Sequence, residues 1–131
     1  EILARTYLEE NEIAEQDVLI PMIDARRMEV YTAVFDSQIN KIKKTEALIL
    51  HNNSFDEFIS KSSCHFIGDG AEKSEFLFKR DNTKFTPNIY PSAKVMAQFV
   101  EQAFIAHKFE DTAYFEPYYL KDFVDGKKNK N

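Results

Sequence analysis

Apolar positions along this chain follow two different periods. From Glu1 to about Asn11, the residues Ile2, Leu3, Tyr7 and Leu8 recur at helical spacing, with Arg5, Glu9 and Glu10 off that face. This predicts an amphipathic helix, and no N-cap residue precedes it. Val18–Ile23 is then a continuous apolar run, the pattern of a strand covered on both faces. Pro21 lies inside it and predicts an edge position or an irregularity there, because proline cannot donate to a ladder. Glu29–Phe35 carries Val30, Thr32 and Val34 on one face and Tyr31, Ala33 and Phe35 on the other, which predicts a central strand. A polar connection, Asp36–Lys44, leads to a third strand at Thr45–Leu50. Short connections make these strands an antiparallel meander.

The pattern then alternates between helix and strand. Ser54-Phe55-Asp56-Glu57 has the form of a capping box, opening a short helix to about Lys61. Cys64–Ile67 is a fourth strand ending in Gly68-Asp69-Gly70. A helix is expected over Ala71–Arg80, anchored by Phe76 and Leu77, and a fifth strand over Phe85–Ile89. Ser92 caps the longest helix, running to about His107. Its stripe of Val95, Met96, Phe99, Val100, Ala103 and Phe104 is core or partner surface. The aromatic segment Tyr114–Phe123 is expected to lie extended over the core. Strands reached through helices run parallel to their neighbours. The sum is an α/β unit: a mixed five-stranded sheet with an antiparallel three-strand meander, flanked by helices. This is the order of the ribonuclease-H-like fold, which actin-like ATPases and sugar kinases carry in duplicate.

Composition narrows the classes. At 131 residues, 44% hydrophobic and 30% charged, the chain suits one domain with a core that needs no metal or disulfide staple. The single cysteine, Cys64, excludes an internal disulfide, reads as a small buried hydrophobe and fits a reducing compartment. A net charge of −5 argues against a dedicated nucleic-acid binder. Only Lys127–Lys130 is locally basic, and it reads as a frayed, solvated end. No apolar run approaches the length of a membrane span and no signal peptide is visible, so a cytoplasmic location is expected. The chain opens inside a helix without an initiating Met. Residues 1–131 are therefore expected to be one domain of a longer protein, with 1–12 the remnant of a preceding helix and 124–131 a disordered tail.

The sequence holds few chemical motifs. His51, His65 and His107 share no metal-ligand spacing, and there is no HExxH, G-x-S-x-G, Walker or G-x-G-x-x-G segment. Gly68-Asp69-Gly70 reads as a turn before a helix, and less well as a backbone approach to a ligand. Asp24 is the strongest carboxylate, since ribonuclease-H-like nucleases hold a divalent ion with an acid on the first strand. Glu29 and Asp69 could join it, because hard cations need several oxygens. Arg26 and Arg27 would compete, and Asp24 reads better as paired with Arg26 or capping the turn. Glu29 and Tyr31 read as a hairpin charge and a packed aromatic.

Asp24-Ala25-Arg26 followed by Glu29-Val30-Tyr31 resembles the D-A-R-x-x-E-V-Y signature of the TsaB (YeaZ) family, long labelled glycoprotease-like or peptidase-like. Phe66-Ile67-Gly68-Asp69-Gly70 resembles the family's strand ending in G-x-G or G-D-G, and Pro117-Tyr118-Tyr119-Leu120-Lys121 its P-x-Y-L-R. The resemblance implies the C-terminal of two actin-like subdomains, without the family's glycine-rich first-half segment. It also implies a non-catalytic scaffold, an obligate partner of a TsaD-like catalytic subunit and a TsaE-like ATPase. Together these form N6-threonylcarbamoyladenosine at position 37 of tRNAs reading codons that begin with A. No catalytic residue, metal ligand or cofactor is then expected in this chain; ATP and magnesium belong to the intact complex. tRNA is met only through that complex, no membrane is involved, and the intact protein is allowed to be a homodimer. The motif residues Asp24, Arg26, Glu29, Tyr31, Gly68, Asp69, Gly70, Pro117, Tyr119 and Leu120 are expected to serve structure or an interface. Met28 stands where the family often has glycine or another small or polar residue, and speaks against a glycine-type positive-φ tip; Lys121 stands for arginine. The alternative is an enzyme, half of an actin-like ATP-binding phosphotransferase or hydrolase with Asp24 and Asp69 near the nucleotide. The peptidase reading finds neither a metal pair nor a nucleophile in the sequence.

Overall fold

The computed structural model describes residues 1–121. Expectations for Phe123 and the tail, 124–131, lie outside the described residues. The elements in chain order are α1 (Ile2–Leu8), β1 (Val18–Asp24), β2 (Glu29–Asp36), β3 (Lys41–Ile49), α2 (Asp56–Ile59) and β4 (Cys64–Ile67). A short 3-10 helix (Glu72–Ser74), α3 (Glu75–Phe78), β5 (Thr83–Thr86) and α4 (Ala93–Ile105) follow. They build one mixed sheet in the order β3-β2-β1-β4-β5. β1, β2 and β3 are antiparallel, while β4 runs parallel to both β1 and β5.

Strand alternation divides the core between the two faces. Val18, Ile20 and Met22 of β1, Val30 and Val34 of β2, and Cys64 and Phe66 of β4 bury one face with Phe55 and Phe78. Leu19, Ala33, Phe35 and Ile67 bury the other face with Ala4 and Tyr7 of α1. Cys64 is fully buried. Burial, and then the Asp17 charge, push its thiol up to about 11, so it is protonated and unreactive near neutrality.

Several expectations are corrected by packing. Pro21 lies in the interior strand β1 and not at a sheet edge, but the expected irregularity is there: the β1–β2 ladder skips Ile20 and Pro21 and resumes in the same register at Met22. The proline is tolerated as the last rung of the β1–β4 ladder, opposite Ile67, and its carbonyl gains the Thr32 hydroxyl at 2.9 Å. Register shifts fall between β2 and β3 as well. β3 starts at Lys41, earlier than its apolar run, because an edge strand can keep charged side chains in water. The capping box does not form. Phe55 takes the N-cap position of α2, and the Ser54 hydroxyl accepts from His51 N–H at 2.9 Å. Complete burial of Phe55 moves the helix start inward. The helix expected over Ala71–Arg80 breaks into the 3-10 helix and α3; of its expected anchors Leu77 packs against the core while Phe76 faces solvent, and Phe78 is the fully buried one. β5 stops at Thr86 because Pro87 cannot continue the ladder.

Ser92 does cap α4, accepting from Val95 N–H at 3.5 Å. Of the α4 stripe, Val95 alone is buried; Met96, Val100 and Phe104 are exposed. Phe99 lies under the Arg5 guanidinium, 4.5 Å from its ring centroid. The aromatic C-terminal segment does not cover the core: Tyr114, Phe115, Tyr118 and Tyr119 face solvent. No described helix is long and apolar enough to cross a membrane.

Candidate functional site at the hairpin tip

The β1–β2 hairpin reverses through two consecutive residues with positive φ, Arg26 at 68° and Arg27 at 48°. The expectation that Met28 would prevent such a tip is therefore corrected. Met28 packs against the core, and its carbonyl accepts from Leu50 N–H at 2.7 Å, so the chain must turn before reaching it. The Asp24 carboxylate accepts the Arg26 backbone N–H and caps the turn. It does not pair with the Arg26 guanidinium; its ionic partner is Lys73, at 3.1 Å. The Lys73 ammonium also donates to the carbonyls of Arg27 and Glu29, so one cation ties both arms and the tip together.

Gly68-Asp69-Gly70 closes the site from below. Asp69 Oδ1 accepts the Asp24 backbone N–H at 3.0 Å, and Gly70 N–H donates to the Met22 carbonyl at 3.2 Å. Gly68 has φ +102°, and a Cβ there would lie 2.5 Å from the Met22 carbonyl oxygen. The C-terminal segment returns to the same corner. Lys121 pairs with the Glu29 carboxylate, and Leu120 joins Tyr31 and Ile23 in the wall of an apolar groove of about 660 Å³. Leu3 of α1 and Phe99 of α4 belong to the same wall. Pro117 and Tyr119 remain exposed and reach neither groove nor tip.

The structure thus brings Asp24, Glu29, Tyr31, Gly68, Asp69, Gly70 and Leu120 to one corner and leaves Pro117 and Tyr119 outside it. Asp24 and Asp69 are adjacent, but each accepts a donor from the chain itself. Among the described residues, no group of three or more His, Cys, Asp or Glu stands close enough to hold a metal ion. The Arg26 N–H and then Lys73 hold the Asp24 carboxyl below the usual aspartate range. A lowered folded value means that this contribution is complete above the ordinary aspartate pKa. It is lost as pH falls through the lowered value. The Asp24 side chain is 45% exposed, so screening keeps the contribution below about 1 kcal/mol. Asp24→Asn is expected to flatten the stability profile below about pH 4, read by urea unfolding at a series of pH values. An unaltered acid limb would refute this origin.

Sequence reasoning missed two features. Lys73 carries no periodic signal and becomes visible only when the glycine turn sets it over the hairpin. The second is a buried chain: Tyr7 OH bonds His65 Nδ1 at 2.9 Å, and His65 Nε2 bonds Asp17 Oδ2 at 3.0 Å. With Nε2–H donating to the carboxylate, Nδ1 is left to accept the Tyr7 hydroxyl. The network ties α1 and the segment before β1 to β4. Its one sequence signal was a histidine within the apolar run Cys64–Ile67.

An antiparallel meander extended by two parallel strands, with helices on both faces, is the ribonuclease-H-like, actin-like unit. No family model matches the chain, and no curated protein matches it. Among solved structures it is similar to an uncharacterized protein with similarity to peptidase YeaZ from Pseudomonas aeruginosa. That match has 16% identity and a TM-score of 0.64, and covers 92% of this chain and 56% of that one. It is also similar to YeaZ from Pseudomonas aeruginosa, with 21% identity and a TM-score of 0.60, over 91% of this chain and 55% of that one. This chain spans little more than half the length of either. At such identities the likeness carries the YeaZ-like fold.

Proposed function

We propose that this chain is a non-catalytic scaffold unit of the YeaZ/TsaB type, acting in the cytoplasm. Its complex forms N6-threonylcarbamoyladenosine at position 37 of tRNAs reading codons that begin with A. Its partners are a TsaD-like catalytic subunit and a TsaE-like ATPase, and it meets tRNA through them. One observation carries the reading: three motif segments far apart in sequence meet on one hairpin. Asp69 holds the Asp24 N–H, Gly70 the Met22 carbonyl, and Lys121 the Glu29 carboxylate. The YeaZ-like fold around them supports it. What favours a non-catalytic role is that Asp24, Glu29 and Asp69 each bind donors of their own chain.

Deleting the gene in its source organism is expected to abolish N6-threonylcarbamoyladenosine in bulk tRNA, measured by mass spectrometry of nucleosides, with recovery from a plasmid copy. The purified protein should also bind the TsaD-like subunit of the same organism. Persistence of the modified nucleoside together with absence of that binding would remove the reading.

A further inference from the structure

Arg26 and Arg27 are both exposed, and among the described residues neither guanidinium has an ionic or hydrogen-bonding partner. The acids that could neutralise them are taken: Asp24 by Lys73, and Glu29 by Lys121. The backbone is also a poor choice for arginine. Both residues occupy the left-handed region, where glycine and asparagine are at ease and other side chains are strained. A hairpin selected for stability alone would place Asn or Gly at these positions. Two strained, unpaired arginines held rigidly by Lys73 and Asp24 point to a ligand that needs their guanidinium forks.

Carboxylates are the chemistry that fits. Arginine binds them through paired parallel hydrogen bonds. Exposed Ile23, on the same hairpin, offers the apolar surface typical of protein interfaces. A polyphosphate backbone fits less well. Two arginines neutralise few phosphates, and the chain carries a net charge of −5.

We infer that the Arg26–Arg27 tip is a docking point for an acidic segment of a partner protein. This goes beyond the proposed role in tRNA modification and does not depend on it. The test is a low-salt titration of the isotopically labelled chain with a short poly-glutamate peptide, followed by nuclear magnetic resonance. Shifts are expected in the amides of Asp24–Glu29 and in the arginine Nε–H signals. R26N/R27G is expected to weaken binding at least about tenfold, the loss of one or more charge-assisted hydrogen bonds. Its melting temperature should stay level or rise, because both replacements suit the left-handed backbone, which separates lost binding from lost folding. R26K/R27K, which keeps charge but not the fork, should weaken binding several-fold. Unchanged binding in R26N/R27G, or shifts spread away from the tip, would overturn the inference. So would tighter binding of a short oligouridylate through the same arginines, or tip shifts that follow protein concentration without peptide, which would mark a second copy as the occupant.

Discussion

Phe66→Ala is expected to cost about 3–5 kcal/mol, a large part of the stability of a domain this size. Phe66 lies on the central parallel strand β4 and is fully buried. Its ring stacks on Phe85 at a centroid distance of 4.9 Å and on Phe78 at 5.5 Å, and meets Phe55 edge-on at 5.5 Å. These partners come from β5, α3 and the start of α2, so truncation opens a cavity shared by all three. Phe66→Leu keeps most of the volume and should cost less than half as much. Phe76→Ala, exposed on the same short helix as Phe78, should change stability by no more than about 0.5 kcal/mol. Denaturant unfolding of the three variants checks the ordering. Equal losses in Phe66→Ala and Phe76→Ala would mean that the aromatic cluster is wrongly assigned.

Gly68→Ala is expected to cost about 2–4 kcal/mol, more than most surface-turn substitutions. Its φ of +102° is strained for any L side chain, and the added Cβ meets backbone, the Met22 carbonyl oxygen at 2.5 Å. It also meets Leu3 Cδ2 at 2.7 Å, so the strain reaches α1. Gly70→Ala should cost less, about 1–2 kcal/mol. Its close neighbours include the Val30 Cγ1 at 2.9 Å and the Met22 Cβ at 3.0 Å, and its φ is not positive. Thermal melts of the two variants test this ordering. A harmless Gly68→Ala would mean that the turn does not press on β1 as described.

These outcomes mark what was legible in the sequence. β1, β2 and β4 were readable because strands covered on both faces must be apolar throughout, whatever surrounds them. The antiparallel meander and the parallel β4 and β5 followed from connection length. Edges and short helices were less legible. β3 begins among lysines that an edge strand can leave in water. α2 starts at Asp56 because Phe55 is drawn under the sheet, overriding the serine ahead of it. At the tip, the hairpin, its acids and the turn-capping role of Asp24 were located from sequence, but the ionic partner of Asp24 was not. Arg26 is adjacent in the chain, yet Lys73 holds the carboxylate, because a charge pair is set by where the backbone aims each side chain.

By itself, then, the sequence determined the kinds and order of the elements, the central strands, and the hairpin on which the motif segments meet. Only the tertiary structure decided that Phe78 and not Phe76 enters the core, that Pro21 is tolerated in a central strand, and that Asp17, His65 and Tyr7 form one buried chain. It also decided that Arg26 and Arg27 stand without partners among the described residues while two lysines neutralise their neighbours. The physical reason is the range of the forces involved. Periodicity and turn chemistry act over a few residues and are written locally, whereas burial, charge pairing and backbone strain depend on segments that the chain brings together only when it folds.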